Sequence, residues 1–320
     1  MLNSESREVT VASARAKAEP FTIEKGSIRA PRADEVLVKV VATGLCHTDL
    51  IVRDQHYPVP LPAVLGHEGA GIVSRSGRMS PLSRRVIRWC CRSATAAVAR
   101  CAQCAAGLPG YCSDFFGLNF GGSDLAGNTA LRDADGHALH DHFFAQSSFA
   151  TYALARENST VKVPTDVPLE LLGPLGRGIQ TGAGAVINSL QVRPGTSFAC
   201  YGAGAVGLSA VMAAKVVGAT SIVAIDVMPS RLELAKELGA THTVNSREVD
   251  LLGGRSIRGI VEGDSVPRTF IPKSIELHRQ GRFPFDKLVN LLAGPDQRGR
   301  RGQSPWRHPQ SSPADAGLRA

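Results

Sequence analysis

The stretch from Ser197 to Asp226 leaves few folds open. It reads SFACYGAGAVGLSAVMAAKVVGATSIVAID: a short β-rich run, a glycine turn, a long apolar helix, then a second β-rich run ending on an acid. Gly202-x-Gly204-x-x-Gly207 stands where strand passes into helix, and each glycine has a mechanical task. Gly202 permits the tight turn, Gly204 lets a pyrophosphate approach the backbone, and Gly207 lets helix and strand pack closely. The helix N-terminus then faces the phosphate charge. Asp226 follows 19 residues after Gly207, at the end of the next strand. Its carboxylate accepts hydrogen bonds from the adenosine ribose hydroxyls and repels a 2′-phosphate. The pattern therefore implies a dinucleotide site that favours NAD over NADP. A ligand-free glycine turn with a solvated aspartate is the plainer alternative.

The flanking sequence extends the same architecture. PSRLELAKELGA predicts an amphipathic helix with Pro229 at its start and Gly239 at its end. THTVNS then predicts a short strand. Together these make a βαβαβ half of a doubly wound sheet. Residues 168–190, PLELLGPLGRGIQTGAGAVINSL, predict helix. Earlier segments read as strands instead: DEVLVKVVATG (34–44), GHEGAGIV (66–73), and two around a turn in SSFATYALARENSTVKV (147–163). The expectation is an α/β protein in which a β-rich domain precedes a dinucleotide-binding one.

Composition sets the class. The chain has 320 residues, 43% apolar and 20% charged, the balance of a soluble globular protein with room for two domains. Residues 194–214 carry no charge before the helix ends, but Pro194, Gly195, Gly202, Gly204 and Gly207 break the run, which excludes a membrane span. The first residues hold no continuous apolar core of a signal peptide, so a cytoplasmic location is expected. The net charge of +8 comes from two short runs. Residues 74–100 hold seven Arg and no acid, and residues 294–320 hold five Arg and two Asp, which leaves the rest slightly acidic. Neither run shows a helical or strand period, so we read them as solvated loop and tail, not as a nucleic-acid surface. We further read both as out-of-frame translation of GC-rich DNA, which the nucleotide sequence of those codons tests.

Metal chemistry is written in two places. Gly44-Leu45-Cys46-His47-Thr48-Asp49 and Gly66-His67-Glu68-Gly69 offer Cys46 and His67, a soft and a borderline ligand suited to zinc. Asp49 is placed to hold the second ring nitrogen of His67, and Thr48 offers a hydroxyl that passes a proton. Taken singly, a buried cysteine and a satisfied core histidine remain open readings. Cys101-x2-Cys104-x7-Cys112 is the second group. In a reducing compartment, seven cysteines suggest metal ligands more than disulfides.

These residues carry a resemblance. GLCHTDLIVRDQHYPVPLPAVLGHEGAGIV, GPLGRGIQTGAGAVINSL, FACYGAGAVGLSAVMAAKVVGATSIVAIDV and SIRGIVEGDS resemble the zinc-dependent medium-chain alcohol dehydrogenases, within them the aryl (benzyl) alcohol enzymes. The resemblance implies a GroES-like catalytic domain (1–164), a shortened Rossmann domain (165–265), a partial return to the catalytic domain (266–291) and an anomalous, disordered tail (292–320). It implies oxidation of an alcohol to an aldehyde, with Zn2+ as Lewis acid and NAD as hydride acceptor. It also implies a homodimer or homotetramer; the charge distribution and the broken apolar run have already set aside a nucleic-acid or membrane partner. Cys46, Thr48 and His67 become the catalytic residues, Cys46 and His67 zinc ligands, and Cys101, Cys104 and Cys112 three of four structural zinc ligands.

The chain departs from the family in five ways. Arg177 stands where the resemblance puts the third catalytic ligand, a cysteine; Glu68 is the candidate replacement. Val98 stands where it puts the first structural ligand, with Cys90 or Cys91 as substitutes. Ile51 stands where some members have a relay histidine, so the proton path past Thr48 differs or ends in water. After Asn245 and Asp250 the chain passes directly to LLGGRSIRGIVEGDSVP, so most of the nicotinamide half of the Rossmann sheet is absent. From Asn290 onward the closing segment of the first domain is not recognisable. Two further readings follow: a non-enzymatic remnant of such an enzyme, and a zinc-free reductase of the same superfamily.

Overall fold

The computed structural model describes residues 6–77, 85–88, 101–106, 109–246 and 260–289. Most of the arginine-rich run, Val98, Cys90 and Cys91, the start of the SIRGIVEGDS segment and the expected tail lie outside these residues.

Among the described residues the first half has ten strands. In chain order they are β1 (Arg7–Ala14), β2 (Thr22–Ile28), β3 (Glu35–Gly44), β4 (Ala63–Val64), β5 (Glu68–Ser76), β6 (Arg85–Arg88), β7 (Leu131–Asp133), β8 (Ala138–Leu139), β9 (Tyr152–Arg156) and β10 (Thr160–Lys162). One sheet has the order β4-β1-β2-β7-β8, the other β10-β6-β5-β3-β9. The alternation read in residues 34–44 becomes β3, which pairs antiparallel with both β5 and β9. Val36, Leu37 and Val38 of β3 are buried. Three short helices interrupt the strands: α1 (His47–Arg53), α2 (Ala102–Ala105) and α3 (Phe115–Phe120).

The segment 168–190 is not one helix. It consists of 3-10 turns at Leu169–Leu171 and Gly173–Gly176, α4 (Gly178–Gly184), and a π-helical turn at Ala185–Ser189. Pro174 lacks the N–H that a continuous helix needs. Gly173 is pressed against β5, where an added Cβ would lie 2.2 Å from the Glu68 carbonyl oxygen. Arg177, at φ −141° and ψ −98°, breaks the helical path just before α4. Tertiary contact overrides local propensity along this stretch.

The second half opens as expected: β11 (Ser197–Tyr201), α5 (Ala205–Val216), β12 (Ser221–Asp226), α6 (Pro229–Leu238) and β13 (His242–Asn245). Pro229 is the first residue of α6, and Gly239 ends it with φ +124°. The three strands form a parallel sheet in the order β11-β12-β13. Among the described residues β11 has no hydrogen-bonded neighbour on its other side. The last helix, α7 (Pro267–Arg279), packs against β10 and α4. Helices α4 and α5 approach so closely that a Cβ on Gly182 would meet the Val206 carbonyl oxygen at 1.8 Å. One apolar core runs through both halves, from Val52 and Leu65 to Val211 and Ala224. No helix among the described residues is long and apolar enough to cross a membrane.

Candidate metal and nucleotide sites

Asp49 organises the first site. Its buried carboxylate accepts from the backbone N–H of Cys46 (2.9 Å) and of Gly66 (3.0 Å), and lies 3.0 Å from Nδ1 of His67. One side chain thus fixes the N-terminus of α1, the glycine turn before β5 and the histidine ring, of which the sequence pointed only to the last. Nε2 of His67 is buried and makes no well-formed hydrogen bond, with only the Cys46 thiol interacting with the ring on that side. Such an orphan nitrogen costs stability unless something occupies it. A Cys46 sulfur, a His67 nitrogen and a Glu68 carboxylate oxygen lie within 4.8 Å of one another. This donor set fits a zinc ion. Thr48 is half-buried, with Oγ1 3.6 Å from Cys46 Sγ.

Glu68 reaches the group because Gly44 has no side chain; a Cβ there would sit 2.0 Å from Glu68 Oε2. Burial pushes the Glu68 carboxyl up, against the lowering effect of His67, Arg177 and the Gly178 N–H. Burial alone would also raise the Cys46 thiol, but the contact with His67 pulls it below its ordinary value. For His67 burial favours the neutral ring, yet the Asp49 carboxylate outweighs it and pushes the pKa up to about 10. The metal-free ring is therefore protonated at neutral pH, and a metal must displace that proton. Zinc uptake is expected to tighten as pH rises from 7 towards 10. Chelator competition at several pH values checks this, and a flat profile would count against it. Because the folded-state pKa lies above 6.5, the His67–Asp49 pair stabilises the metal-free fold fully below that pH and fades as pH passes about 10.

Arg177 does not swing out to water. Its side chain is only 15% exposed, and Nη1 donates to Oε1 of Glu262 at 2.7 Å. Its guanidinium lies 4.1 Å from the centre of the Phe144 ring. Its charge is still felt by His67 and Glu68. Glu262 is buried and holds a left-handed φ of +54°.

Sequence reasoning missed the wall of this site. Phe144 stacks on His67 with ring centres 4.8 Å apart, and Phe143 meets it edge-on at 5.3 Å. Phe120 touches both phenylalanines, and Phe116 and Tyr57 continue outward from it. His142, Phe144, Ala145 and Ser147 all have positive φ. Gln146 buttons this segment onto β5: Oε1 accepts from Gly69 N–H, and Nε2 donates to the His67 carbonyl. The phenylalanine pair was the one visible signal.

The second cysteine group also converges. One sulfur each from Cys101, Cys104 and Cys112 lies within 4.8 Å of the others, and no fourth ligand-bearing residue joins them among the described residues. Backbone N–H groups of Ser113 and Cys104 pull the Cys101 thiol down to about 6, while burial and its two neighbours push Cys104 up to about 12. A closed structural zinc site takes four donors. Three thiols do not fit it.

At the glycine loop, Gly202 has φ +88°, and a Cβ on Gly207 would lie 1.8 Å from the Gly202 carbonyl oxygen. A Cβ on Gly204 would meet nothing within 4 Å, which leaves the face of the loop open. Asp226 ends β12; its carboxylate accepts from the N–H of Ala203 (2.6 Å) and of Met228 (2.8 Å). Arg231, which sequence reasoning did not single out, comes within 3.8 Å of the same carboxylate.

A β-rich metal-binding half joined to a Rossmann-type sheet defines the medium-chain dehydrogenase class. Residues 32–165 match the alcohol dehydrogenase GroES-like domain, and residues 205–269 match the zinc-binding dehydrogenase family. The chain is 39% identical to geraniol dehydrogenase of Castellaniella defragrans, over 84% of this chain and 87% of that one. That alignment spans 333 positions, more than this chain's 320, so it includes gaps in this chain. An alcohol dehydrogenase zinc-binding domain protein from Burkholderia ambifaria superimposes with a TM-score of 0.84 and 55% identity, covering 90% of this chain and 93% of that one. Benzyl alcohol dehydrogenase from Acinetobacter calcoaceticus gives 0.81 and 46%, covering 89% and 93%. The chain belongs to the zinc-type medium-chain alcohol dehydrogenase family.

Proposed function

We propose that this chain carries the sites of an NAD-linked, zinc-assisted dehydrogenase for aromatic primary alcohols, with a metal centre weakened by Arg177. The observation that carries the reading is the convergence of Cys46, His67 and Glu68 beside a wall of phenylalanines. When bound there, zinc supplies Lewis acidity toward the alcohol oxygen. Cys46, His67 and Glu68 would hold it. Asp49 holds the Nδ1 side of His67, which leaves Nε2 for the metal. The Thr48 hydroxyl accepts the alcohol proton and passes it toward solvent, since Ile51 offers no further relay. Phe143 and Phe144, both fully buried, keep water from the His67 side of the site, and half-buried Phe120 offers an apolar face to an aryl ring. The names of two relatives, geraniol and benzyl alcohol dehydrogenase, support a primary alcohol beside a π system.

On the cofactor side, Gly202, Gly204 and Gly207 would cradle the pyrophosphate and Asp226 the adenosine ribose. NAD is expected to bind at least about tenfold more tightly than NADP, because Asp226 faces the added phosphate. Asp226→Ser should narrow or reverse that ratio, with Arg231 left to receive the 2′-phosphate. An adenosine-side fragment, ADP-ribose, should bind almost as well as whole NAD. Calorimetry decides both points: NADP preferred by the unaltered protein overturns the first, and NAD far tighter than ADP-ribose overturns the second.

Arg177, anchored beside the metal donors, favours a second reading: a remnant that binds nucleotide without turning over alcohol. Benzyl alcohol oxidation by the unaltered protein is expected to fall below detection. Robust NAD-dependent oxidation with full zinc would refute the remnant reading. Robust turnover without zinc would favour a zinc-free reductase.

A further inference from the structure

We propose that Cys101, Cys104 and Cys112 form a three-sulfur site for a thiophilic ion whose shell three sulfurs complete, such as trivalent arsenic or monovalent copper.

The geometry is that of a ligand knuckle. Cys101 is the N-cap of α2, and its sulfur accepts from the Cys104 N–H at 3.4 Å, which aims both residues to the same side. A 3-10 turn at Pro109–Tyr111 then returns the chain, and Cys112 Sγ comes to 4.0 Å from Cys101 Sγ. With ion–sulfur bonds of ~2.3 Å, three sulfurs lie roughly 4 Å apart around a planar ion and roughly 3.4 Å apart around a pyramidal one, so the group closes slightly around arsenic. Cys112 is buried, while Cys101 and Cys104 are half-buried, so an ion can enter from solvent.

Coordination number decides the occupant. Zinc held by three sulfurs keeps an open fourth position, which water fills and through which the ion exchanges. Thiolates select soft ions, and geometry then discriminates among them. Trivalent arsenic bonds three sulfurs in a pyramid and carries a lone pair where a fourth ligand would stand. Its uptake from arsenous acid forms three As–S bonds and breaks three As–O bonds. Three thiol protons leave with the hydroxides as three waters, and no oxidation state changes. Monovalent copper is served by the same three donors.

Arsenite added to the reduced, full-length protein tests this. X-ray absorption of the unaltered protein should show one arsenic per chain with three sulfur neighbours, a readout that needs no variant. Cys101→Ser, Cys104→Ser and Cys112→Ser should each abolish it. Cys46→Ser and the double change Cys90→Ser/Cys91→Ser should leave it intact. Monovalent copper should compete with arsenite one for one. Val98→Cys should raise zinc affinity by at least about tenfold, by completing a four-sulfur shell, and leave arsenite binding unchanged. Displacement of arsenic by an equal concentration of zinc would overturn the proposal. So would a four-sulfur zinc shell in the unaltered protein that loses one sulfur in the Cys90/Cys91 variant.

Discussion

Arg177→Cys is expected to raise zinc at the Cys46–His67 site from well below one ion per chain, and to lower the melting temperature at the same time. The first effect follows from donor chemistry. A guanidinium has no lone pair to offer and stays protonated, so Arg177 cannot ligate zinc. It also sets a positive charge near a divalent cation, where two unit charges at ~4 Å and an effective dielectric of ~20 interact by ~4 kcal/mol. A thiolate in its place supplies a ligand and a negative charge. The second effect follows from Glu262, whose side chain is 4% exposed and paired with Arg177. Removing one partner of a buried pair costs about 3–5 kcal/mol, on the order of 10 °C in a chain of this size. Arg177→Cys/Glu262→Gln should recover most of that stability and keep the zinc. Benzyl alcohol oxidation should become detectable in the double variant. Elemental analysis and a thermal melt give both readings. One zinc per unaltered chain, lost in Cys46→Ala, would show the argument to be wrong.

The unaltered protein is also expected to self-associate. Strand β11 lies at the end of its sheet, and its side chains alternate between exposed and half-buried, whereas most of β12 beside it is buried. Its five residues, SFACY, include no charge and no proline, the usual devices that blunt an edge. Tyr201, at its end, is 54% exposed. In a doubly wound sheet the first strand is central, with a second half beyond it; here that side is open among the described residues. Light scattering should show mass rising with concentration, and Ala199→Lys, which puts a charge on the edge, should suppress it. A monodisperse monomer at every concentration would show that the remaining strands repack well.

Much of this was legible because it is local. The alternation in residues 34–44, the Pro229 and Gly239 boundaries and the glycine loop are each encoded within a few residues of the element they define. Cys46 and His67 were legible as a pair only through the motifs around them, and Asp49 through the reach of its carboxylate. The broken helix at 168–190 was not, since Gly173 and Gly182 report contacts with β5 and α5 that no window of that segment contains. The Arg177–Glu262 pair joins residues 85 positions apart, and the phenylalanine wall depends on left-handed backbone that Gln146 fastens to the distant strand β5.

The threefold acceptor role of Asp49 bears on how such a protein changes over generations. Metal chemistry gives Asp49 one task, holding His67. The fold gives it two others, at the N–H groups of Cys46 and Gly66. A lineage that ceases to oxidise alcohols still needs that carboxylate, since a buried donor left unsatisfied costs about 1–3 kcal/mol. Selection for folding alone is enough to retain it after catalysis has gone. Survival of Asp49 and its two turns therefore records a demand of the fold, and inheritance of this part of the motif is no measure of whether the enzyme still works.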